Sequence, residues 1–250
     1  MNQAITMTLP VLGLIITLLM IYEMPFIYDT AYIATMELGN DPLIITVSDL
    51  HLESNTRNLT CIGNYIRDLH HGNTYLVING DLFDKAHRQE LNQSHIRELI
   101  NRLSLAGING LKEVIYVTAI YDHDPRTHRG ETTYSINGIK VRVIQGIAKF
   151  KIGSNTIWFL HGDYVVRNGL IASLMNRLLG GSYDRLVRSV IGAREGDWVV
   201  IGHTHVPGIN SELRIANTGS WINRFINATD TAVIINGLSD VRLVRVKCGP

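Results

Sequence analysis

The sequence predicts an α/β fold in which two packed mixed sheets are flanked by helices. In the first half, short apolar runs rich in β-branched residues alternate with helix-like stretches. In the second half, strand-like runs follow one another through tight turns. The chain has 250 residues, 46% of them hydrophobic and 18% charged, which suffices for a large core and argues against a disordered or low-complexity protein.

Three runs after residue 42 predict buried strands, and each ends in polar residues. They read LIITVSD, TYLVINGD and EVIYVTAI. The stretches between them, residues 59–69 and 85–105, have helical character, and the second places Ile96, Leu99 and Leu103 on one side. The order β-α-β-α-β predicts polar side chains at one edge of a sheet.

Hairpins dominate the second half of the chain. Asn137 and Gly138, and then residues 153–155, form natural tight turns between strand-like runs. The runs are ETTYSINGIKVRVIQG, AKFKIGSNTIWFLHGD, WVVIGHTH, ELRIANTGSW and TAVIINGLSDVRLVRV. We expect them to complete a four-layer sandwich of helices, two sheets and helices.

The N-terminal segment is apolar. Residues 4–22 contain no charged side chain, and such a helix nearly spans a hydrocarbon core of about 30 Å. We expect a hydrophobic helix that anchors the chain in a membrane over residues 1–22, the alternative being a helix packed on the domain. A connector over residues 23–41 would lead to a catalytic domain over residues 42–250, which we place on the cytoplasmic side.

Composition excludes several classes of function. With a net charge of +1, the molecule as a whole has no strong electrostatic attraction to nucleic acid, so no nucleic-acid partner is expected. Cys61 and Cys248 are the only cysteines, which argues against a disulfide framework and against a thiolate-rich zinc or iron–sulfur site. The sequence does not indicate an oligomeric state.

Five polar clusters follow strand-like runs. They are SDLH, NGDLFD, YDHD, LHGD and GHTH, with Asp49, His51, Asp81, Asp122, His123, His161, His203 and His205. A lone histidine beside a strand usually has a structural hydrogen bond, but histidines in four such clusters favour metal or phosphate chemistry. Imidazole and carboxylate ligands suit manganese, iron, zinc or nickel. Side chains two residues apart on an extended segment point to the same side. We therefore expect each of two pairs to bind one ion: Asp49 with His51, and His203 with His205.

These motifs, in this order, resemble those of the calcineurin-like metallophosphoesterase superfamily from about Leu43 to Val246. The resemblance implies two divalent ions, with manganese favoured, that activate a water to attack phosphorus. It implies that His123 assists as a catalytic residue next to the phosphate, and that Asp84 and Asp163 orient the ligands. The implied ligands are Asp49, His51, Asp81 and His205 for one ion, and Asp81, Asp122, His161 and His203 for the other.

One motif departs from the family pattern. Family members usually have Gly-Asn before His-Asp, whereas this chain has Tyr121 and Asp122. Asp122 still offers an oxygen ligand, but its charge lowers the electrophilicity of the ions. We therefore expect a competent but slower hydrolase, the alternative being a non-catalytic binding scaffold.

Residues 164–195 predict an amphipathic helical cap that carries five arginines against two acidic residues. We expect Arg167, together with Arg126 and His128, to contact an anionic substrate. The alternatives are that Arg126 and His128 are solvated loop charges, and that the cap is only a helical pair that covers the sheet.

The motifs G-D-x-F-D, G-H-T-H-x-P and N-T-G-x-W resemble the UDP-2,3-diacylglucosamine pyrophosphohydrolase branch, which implies a nucleotide-linked or lipid substrate and a membrane partner. A nucleotide phosphodiesterase or nuclease is the nearest rival.

Overall fold

Two mixed sheets of seven and six strands organise the computed structural model of the chain, which describes residues 2–39, 41–53, 57–69, 72–84, 89–105, 110–121, 123–223, 227–237 and 240–248. The strands are β1 (Ile33–Leu38), β2 (Leu43–Val47), β3 (Thr74–Asn79), β4 (Glu113–Thr118), β5 (Gly130–Ile136), β6 (Ile139–Gln145), β7 (Ile147–Ile152), β8 (Asn155–Leu160), β9 (Trp198–Ile201), β10 (Gly208–Asn210), β11 (Ile215–Asn217), β12 (Thr231–Asn236) and β13 (Asp240–Arg245). The first sheet has the order β13-β12-β2-β3-β4-β6-β5, and the second has the order β1-β7-β8-β9-β11-β10.

The helices are α1 (Asn2–Glu23), α2 (Arg57–Leu69), α3 (Gln93–Leu105), α4 (Gly169–Leu178) and α5 (Ser182–Ile191). One buried cluster joins α2 and α3 to the first sheet, and a second fills the space between the two sheets, with Ile44 and Val77 against Phe150 and Phe159. A third joins the cap to the second sheet through side chains such as Tyr183 of α5. The predicted α/β fold with two mixed sheets is confirmed, and its layers follow the order helix, sheet, sheet, helix.

The predicted hairpins form where the turns indicated. Asn137 and Gly138 both have positive φ, as a two-residue turn between twisted strands requires, and β5 pairs antiparallel with β6. The second predicted helix, however, begins later than residue 85. The Asn92 side chain accepts hydrogen bonds from the backbone N–H groups of Ser94 and His95, so it caps α3 there.

The connector over residues 23–41 contains a strand. β1 pairs in parallel with β7 and forms an edge of the second sheet, with Ala34 and Met36 facing the core. The expected N-terminal helix is present as α1, but among the described residues no helix combines the length and the apolar character that a membrane crossing requires. The predicted anchor over residues 1–22 is therefore not supported.

A disulfide joins the two cysteines, which the sequence analysis did not predict. Cys61 of α2 bonds Cys248 near the C-terminus, and 187 positions separate them. Cys248 follows β13, which is the last strand of the chain and an edge strand of the first sheet. The bond thus fastens the last segment of the chain to the helical layer.

Candidate metal centre

The motif residues follow the ends of five strands. β2, β3 and β4 are parallel neighbours in the first sheet, and β8 and β9 are parallel neighbours in the second. The Asn79 side-chain amide donates to the carbonyl oxygens of Leu160 and Val200, at 2.7 and 3.0 Å. This side chain joins the strand ends of the two sheets, so that loops from both sheets meet in one place.

One side of the point where these loops meet is formed by Asp49, His51 and His205. The distance from Asp49 Oδ1 to His205 Nε2 is 3.1 Å. Each of the three residues offers a ligand atom, and these atoms lie within 4.8 Å of one another. Asp49 and His51 are buried, and His205 is partly exposed. The group therefore has two buried candidate ligands, Asp49 and His51, and one partly exposed candidate ligand, His205.

Asp81 lies between two histidines. Its Oδ2 is 3.7 Å from His51 Nε2, and its Oδ1 is 3.4 Å from His161 Nε2. His203 extends the second side, since its Nδ1 is 3.3 Å from His161 Nε2. The two oxygens of one carboxylate thus face two different sets of imidazoles.

The spacings fit ligands of common ions. Nitrogen and oxygen ligands lie about 2.0–2.2 Å from a first-row divalent ion, so neighbouring ligands on one ion are about 3.0–3.4 Å apart. The separations of 3.1 Å for Asp49 and His205, and of 3.4 Å for Asp81 and His161, fall in this range, and the 3.7 Å to His51 is slightly wider. The carboxylate and imidazole groups present fit a divalent metal.

The tautomers of two histidines point to the same conclusion. His161 Nδ1 donates to the carbonyl oxygen of Asn79 at 3.0 Å, and His203 Nε2 donates to that of Val166 at 2.8 Å. A neutral imidazole that donates from one nitrogen presents a lone pair on the other. With both imidazoles neutral, as metal binding requires, the two lone pairs would face each other over 3.3 Å in a buried site, an arrangement that a cation stabilises.

Electrostatics treats the charged and neutral forms of these groups differently. Burial and the neighbouring His161 lower the pKa of His203 to about 3. Burial opposes ionisation of Asp49, but His205 and Ser48 outweigh it and hold the pKa of Asp49 well below its usual range. Burial likewise disfavours charge on His161, yet Asp81 raises the pKa of His161 well above its usual range. The site therefore holds an ionised Asp49 and a neutral His203.

The backbone at these positions is left-handed. Asp49, His51, Asp81, His203 and His205 all have φ between 45° and 70°. Non-glycine residues adopt this region seldom, at a cost of about 1–3 kcal/mol each, and such residues concentrate at functional sites. The expectation that Asp49 and His51 lie on an extended segment is therefore wrong. Turns of the backbone, rather than strand alternation, aim these side chains.

Two glycines allow the close approach of the loops. A Cβ at Gly80 would lie 2.3 Å from the His161 ring, and one at Gly202 would lie 2.4 Å from Ser48 Oγ. Any larger residue would push the imidazole or the Asp49 loop away.

Asp124 holds the Asp81 loop, a role that the sequence analysis missed. Its buried carboxylate accepts hydrogen bonds from the backbone N–H groups of Asp81, Leu82 and Ala119 at 3.0, 2.9 and 2.8 Å. Burial raises the pKa of Asp124 overall, against the lowering effect of these bonds. The sequence shows Asp124 only as the last residue of the YDHD motif, which does not indicate the backbone groups that it holds.

A second brace supports Asp49. Its carboxylate accepts a hydrogen bond from Ser48, whose hydroxyl also contacts Thr218 Oγ1 at 2.5 Å. The Asn58 side chain donates to the carbonyl oxygens of Leu50 and Trp221, both at 3.0 Å. The N-T-G-x-W motif therefore supports the site from behind.

A cavity of about 460 Å³ opens onto the cluster. Its lining includes Asp81, His203 and His205 together with His123, whose Nδ1 donates to the Asp84 carbonyl oxygen at 3.0 Å. Asp84 Oδ1 is 3.3 Å from His51 Nδ1, as expected for a residue that orients His51. The structure thus places His123 beside both the cluster and the open space.

The remaining predicted residues lie around this cavity. Asp163 accepts hydrogen bonds from the backbone N–H groups of residues 120 and 121, and Arg167 lines the cavity. Arg126 and His128 are exposed and lie outside the described lining of the cavity. Asp122 falls outside the described residues. The structure therefore brings Arg167, but neither Arg126 nor His128, to the cavity wall.

Several solved structures are similar to this chain. One is a predicted phosphoesterase from Streptococcus pneumoniae TIGR4, with 17% identity, coverage of 82% of this chain and 90% of that chain, and a TM-score of 0.41. Another is Vps29 complexed with zinc from Entamoeba histolytica, with 15% identity, coverage of 82% and 98%, and a TM-score of 0.35. A third is a putative 5′-nucleotidase from Staphylococcus aureus, with 11% identity, coverage of 84% and 55%, and a TM-score of 0.40. No protein-family model and no curated protein matches the chain.

The likeness to the UDP-2,3-diacylglucosamine pyrophosphohydrolase branch rests on sequence motifs alone. In the order of its motifs, in its two packed mixed sheets and in the meeting of its motif residues beside one cavity, the chain resembles the calcineurin-like metallophosphoesterases.

Proposed function

We propose that the chain is a metal-dependent hydrolase of phosphoesters. The observation that carries the proposal is the buried cluster of aspartates and histidines at the end of an open cavity, with spacings that suit ligands of divalent ions. Buried carboxylates and imidazoles in such numbers need a compensating cation. A hydrolytic role follows because this donor set, beside an open space, is typical of two-metal phosphoester sites.

The proposed ligands divide into two sets that share Asp81. Asp49, His51 and His205 would hold one ion, and His161 and His203 would hold the other with Asp122. Asp81 would bridge, since its two oxygens face His51 and His161. When bound, the ions would polarise the phosphoryl oxygens and lower the pKa of a water. Imidazole with carboxylate favours manganese, iron, zinc or nickel as the native ion.

His123 would contact the substrate. It lines the cavity, and its Nδ1 hydrogen bond to Asp84 fixes the ring, so that Nε2 can carry the proton for the leaving oxygen. Asp84 would act through other residues, because its carboxylate lies beside His51 and its carbonyl oxygen holds His123. Asp84 is therefore proposed as a positioning residue.

The test is hydrolysis of p-nitrophenyl phosphate and bis(p-nitrophenyl) phosphate by the full chain with added Mn²⁺. We expect turnover that EDTA abolishes, and a loss of at least about 100-fold in His203→Ala and in Asp81→Asn. His95→Gln is the matched control, since His95 lies in the first turn of α3 and contacts the Phe83 ring rather than the cluster. Turnover of the diester alone would favour the phosphodiesterase alternative, and metal binding without any turnover would favour the binding scaffold.

A lipid-linked substrate is a second candidate. The cap exposes five large apolar side chains, and the first of them also lines the cavity: Leu170, Ile171, Leu174, Leu178 and Leu179. Exposed apolar patches mark binding surfaces for partners or apolar ligands. We expect Leu174→Ser with Leu178→Ser to raise KM for a phosphatidic acid in mixed micelles but not for p-nitrophenyl phosphate. Equal effects on both substrates would exclude this role of the cap.

A further inference from the structure

Arg167 lies in an unusual clamp at the wall of the cavity. Its guanidinium carbon is 4.2 Å from the centre of the Tyr22 ring and 4.5 Å from the centre of the Tyr121 ring. Its Nη2 donates to Tyr28 Oη at 2.9 Å. Two aromatic faces hold a guanidinium through cation–π attraction and stacking, which fix its plane and direction.

The charge of this arginine has no carboxylate partner within 4.0 Å among the described residues. Its buried Nε atom also has no hydrogen-bond acceptor in the part of the chain that the structure describes. The rings of Tyr22 and Tyr121 both pack within 4.5 Å of the guanidinium carbon, which leaves the N–H groups as the part of Arg167 that can bind a ligand. In-plane donors of this kind suit the oxygens of a phosphate or another oxyanion.

The C-terminal end of α1 builds this clamp. Besides the Tyr22 ring, the Glu23 carbonyl oxygen accepts a hydrogen bond from the backbone N–H of Arg167 at 2.7 Å. The Glu23 carboxylate accepts one from the backbone N–H of Asn168, the N-cap residue of α4, at 3.1 Å. Tyr22 and Glu23 both line the cavity. The N-terminal helix is thus part of the cavity wall.

The other side of the clamp is also fixed. Tyr121 donates a hydrogen bond to the Asp29 carboxylate, which also pairs with Arg129. The Tyr164 hydroxyl donates to the Asp29 carbonyl oxygen at 2.9 Å. Tyr121 stands where the family pattern has glycine, so this chain carries a ring at the position that closes the clamp.

We propose that Arg167 binds an anionic oxygen of the substrate at the wall of the cavity, and that Tyr22 of α1 is the positioning residue that directs it. The proposal rests on the hydrolase function proposed above. It assigns to the N-terminal helix a role in substrate affinity, and it gives the Tyr121 departure a function in substrate binding.

The test uses the full, metal-loaded chain and two measurements. The first is the Kd of inorganic phosphate by calorimetry, and the second is KM and kcat for p-nitrophenyl phosphate. We expect Arg167→Gln to raise both Kd and KM at least about tenfold with a smaller change in kcat, because charged hydrogen bonds to an anion are lost. Tyr22→Ala should raise both about threefold to tenfold, and Tyr22→Phe, which keeps the ring, should restore them.

Two matched controls separate the clamp from general effects. Leu19→Ala removes an exposed apolar side chain from the same helix, and Arg242→Gln removes an exposed arginine on β13. Both should leave Kd and KM unchanged. If Tyr22→Ala fails to fold, Arg167→Lys, which keeps the charge but loses the planar stack, should still raise Kd.

The possible failures are distinguishable. Unchanged phosphate Kd in folded Arg167→Gln overturns the inference, whatever the activity. Weakened Kd in Arg167→Gln but not in Tyr22→Ala overturns the role of α1. Absence of turnover in the wild-type chain overturns the hydrolase function, while phosphate binding that depends on Arg167 and Tyr22 would still support the clamp.

Discussion

Reduction of the bond between Cys61 and Cys248 should lower the stability of the domain substantially. The bond closes a loop with a sequence separation of 187 residues. In the chain-entropy treatment a loop of that length constrains the unfolded chain by about 5 kcal/mol at 25 °C. Measured values often fall short of this limit, so we expect a loss of roughly 2–5 kcal/mol in the free energy of unfolding.

The assay is urea unfolding followed by tryptophan fluorescence, with and without a phosphine reductant. With an m-value of about 3 kcal/mol/M, a loss of this size lowers the midpoint by roughly 0.7–1.7 M. The Cys61→Ala, Cys248→Ala double variant should show the lower midpoint and no response to reductant. A wild-type midpoint that reductant leaves unchanged would refute the reasoning.

The same bond bears on where the domain resides. Disulfides persist in oxidising compartments and are reduced in the cytosol. A count of free thiols in denatured protein, taken from cells with alkylation at lysis, therefore checks the predicted cytoplasmic placement. Two free thiols would support that placement, and none would oppose it.

Four further outcomes follow from the site. Asp124→Ala should cost roughly 3–5 kcal/mol in urea unfolding, because several backbone N–H groups lose a buried charged acceptor, and a loss below about 1 kcal/mol would contradict this role. Gly80→Ala should weaken Mn²⁺ binding at least about tenfold in calorimetry, since its Cβ would meet the His161 ring, and unchanged affinity would contradict the close approach. Hydrogen bonds from Tyr121 and Arg129 lower the pKa of Asp29 in the folded protein. The contribution of Asp29 to stability is therefore present above about pH 4 and is lost as the pH falls through the folded pKa. In acid titrations, Asp29→Asn should be less stable than the wild type at pH 7, and this difference should close below about pH 4. Addition of EDTA to the metal-loaded chain should lower Tm by roughly 10 °C in scanning calorimetry, and an unchanged Tm would oppose a bound ion.

Much of the fold could be predicted from local patterns. Apolar runs such as LIITV and TYLVIN need no partner to be identified as strands, and the Asn137–Gly138 turn fixes its hairpin by its own conformation. The start of α3 was missed because hydrophobic periodicity continues before Asn92, whereas the cap decides where the helix begins. The strand β1 was missed because its identity depends on pairing with β7, more than 100 residues away.

The site shows the same division. The motif residues could be found because each follows a strand end, where loops of parallel strands converge. The roles of Asp124 and Asn58 could not be found, because they depend on backbone groups of distant loops. Arg167 was selected for its charge, but its aromatic clamp requires α1 and the loop at Tyr121 to meet in space.

The left-handed backbone at five of the proposed ligand positions has a consequence for metal exchange. Since Asp124 accepts a hydrogen bond from the backbone N–H of Asp81, and Ser48 donates one to Asp49, bonds within the fold would shape the cage at these two turns before an ion arrives. An ion can then leave and another can enter without refolding of the loops. The dimensions of the cage, rather than the order of assembly, would select which cation stays.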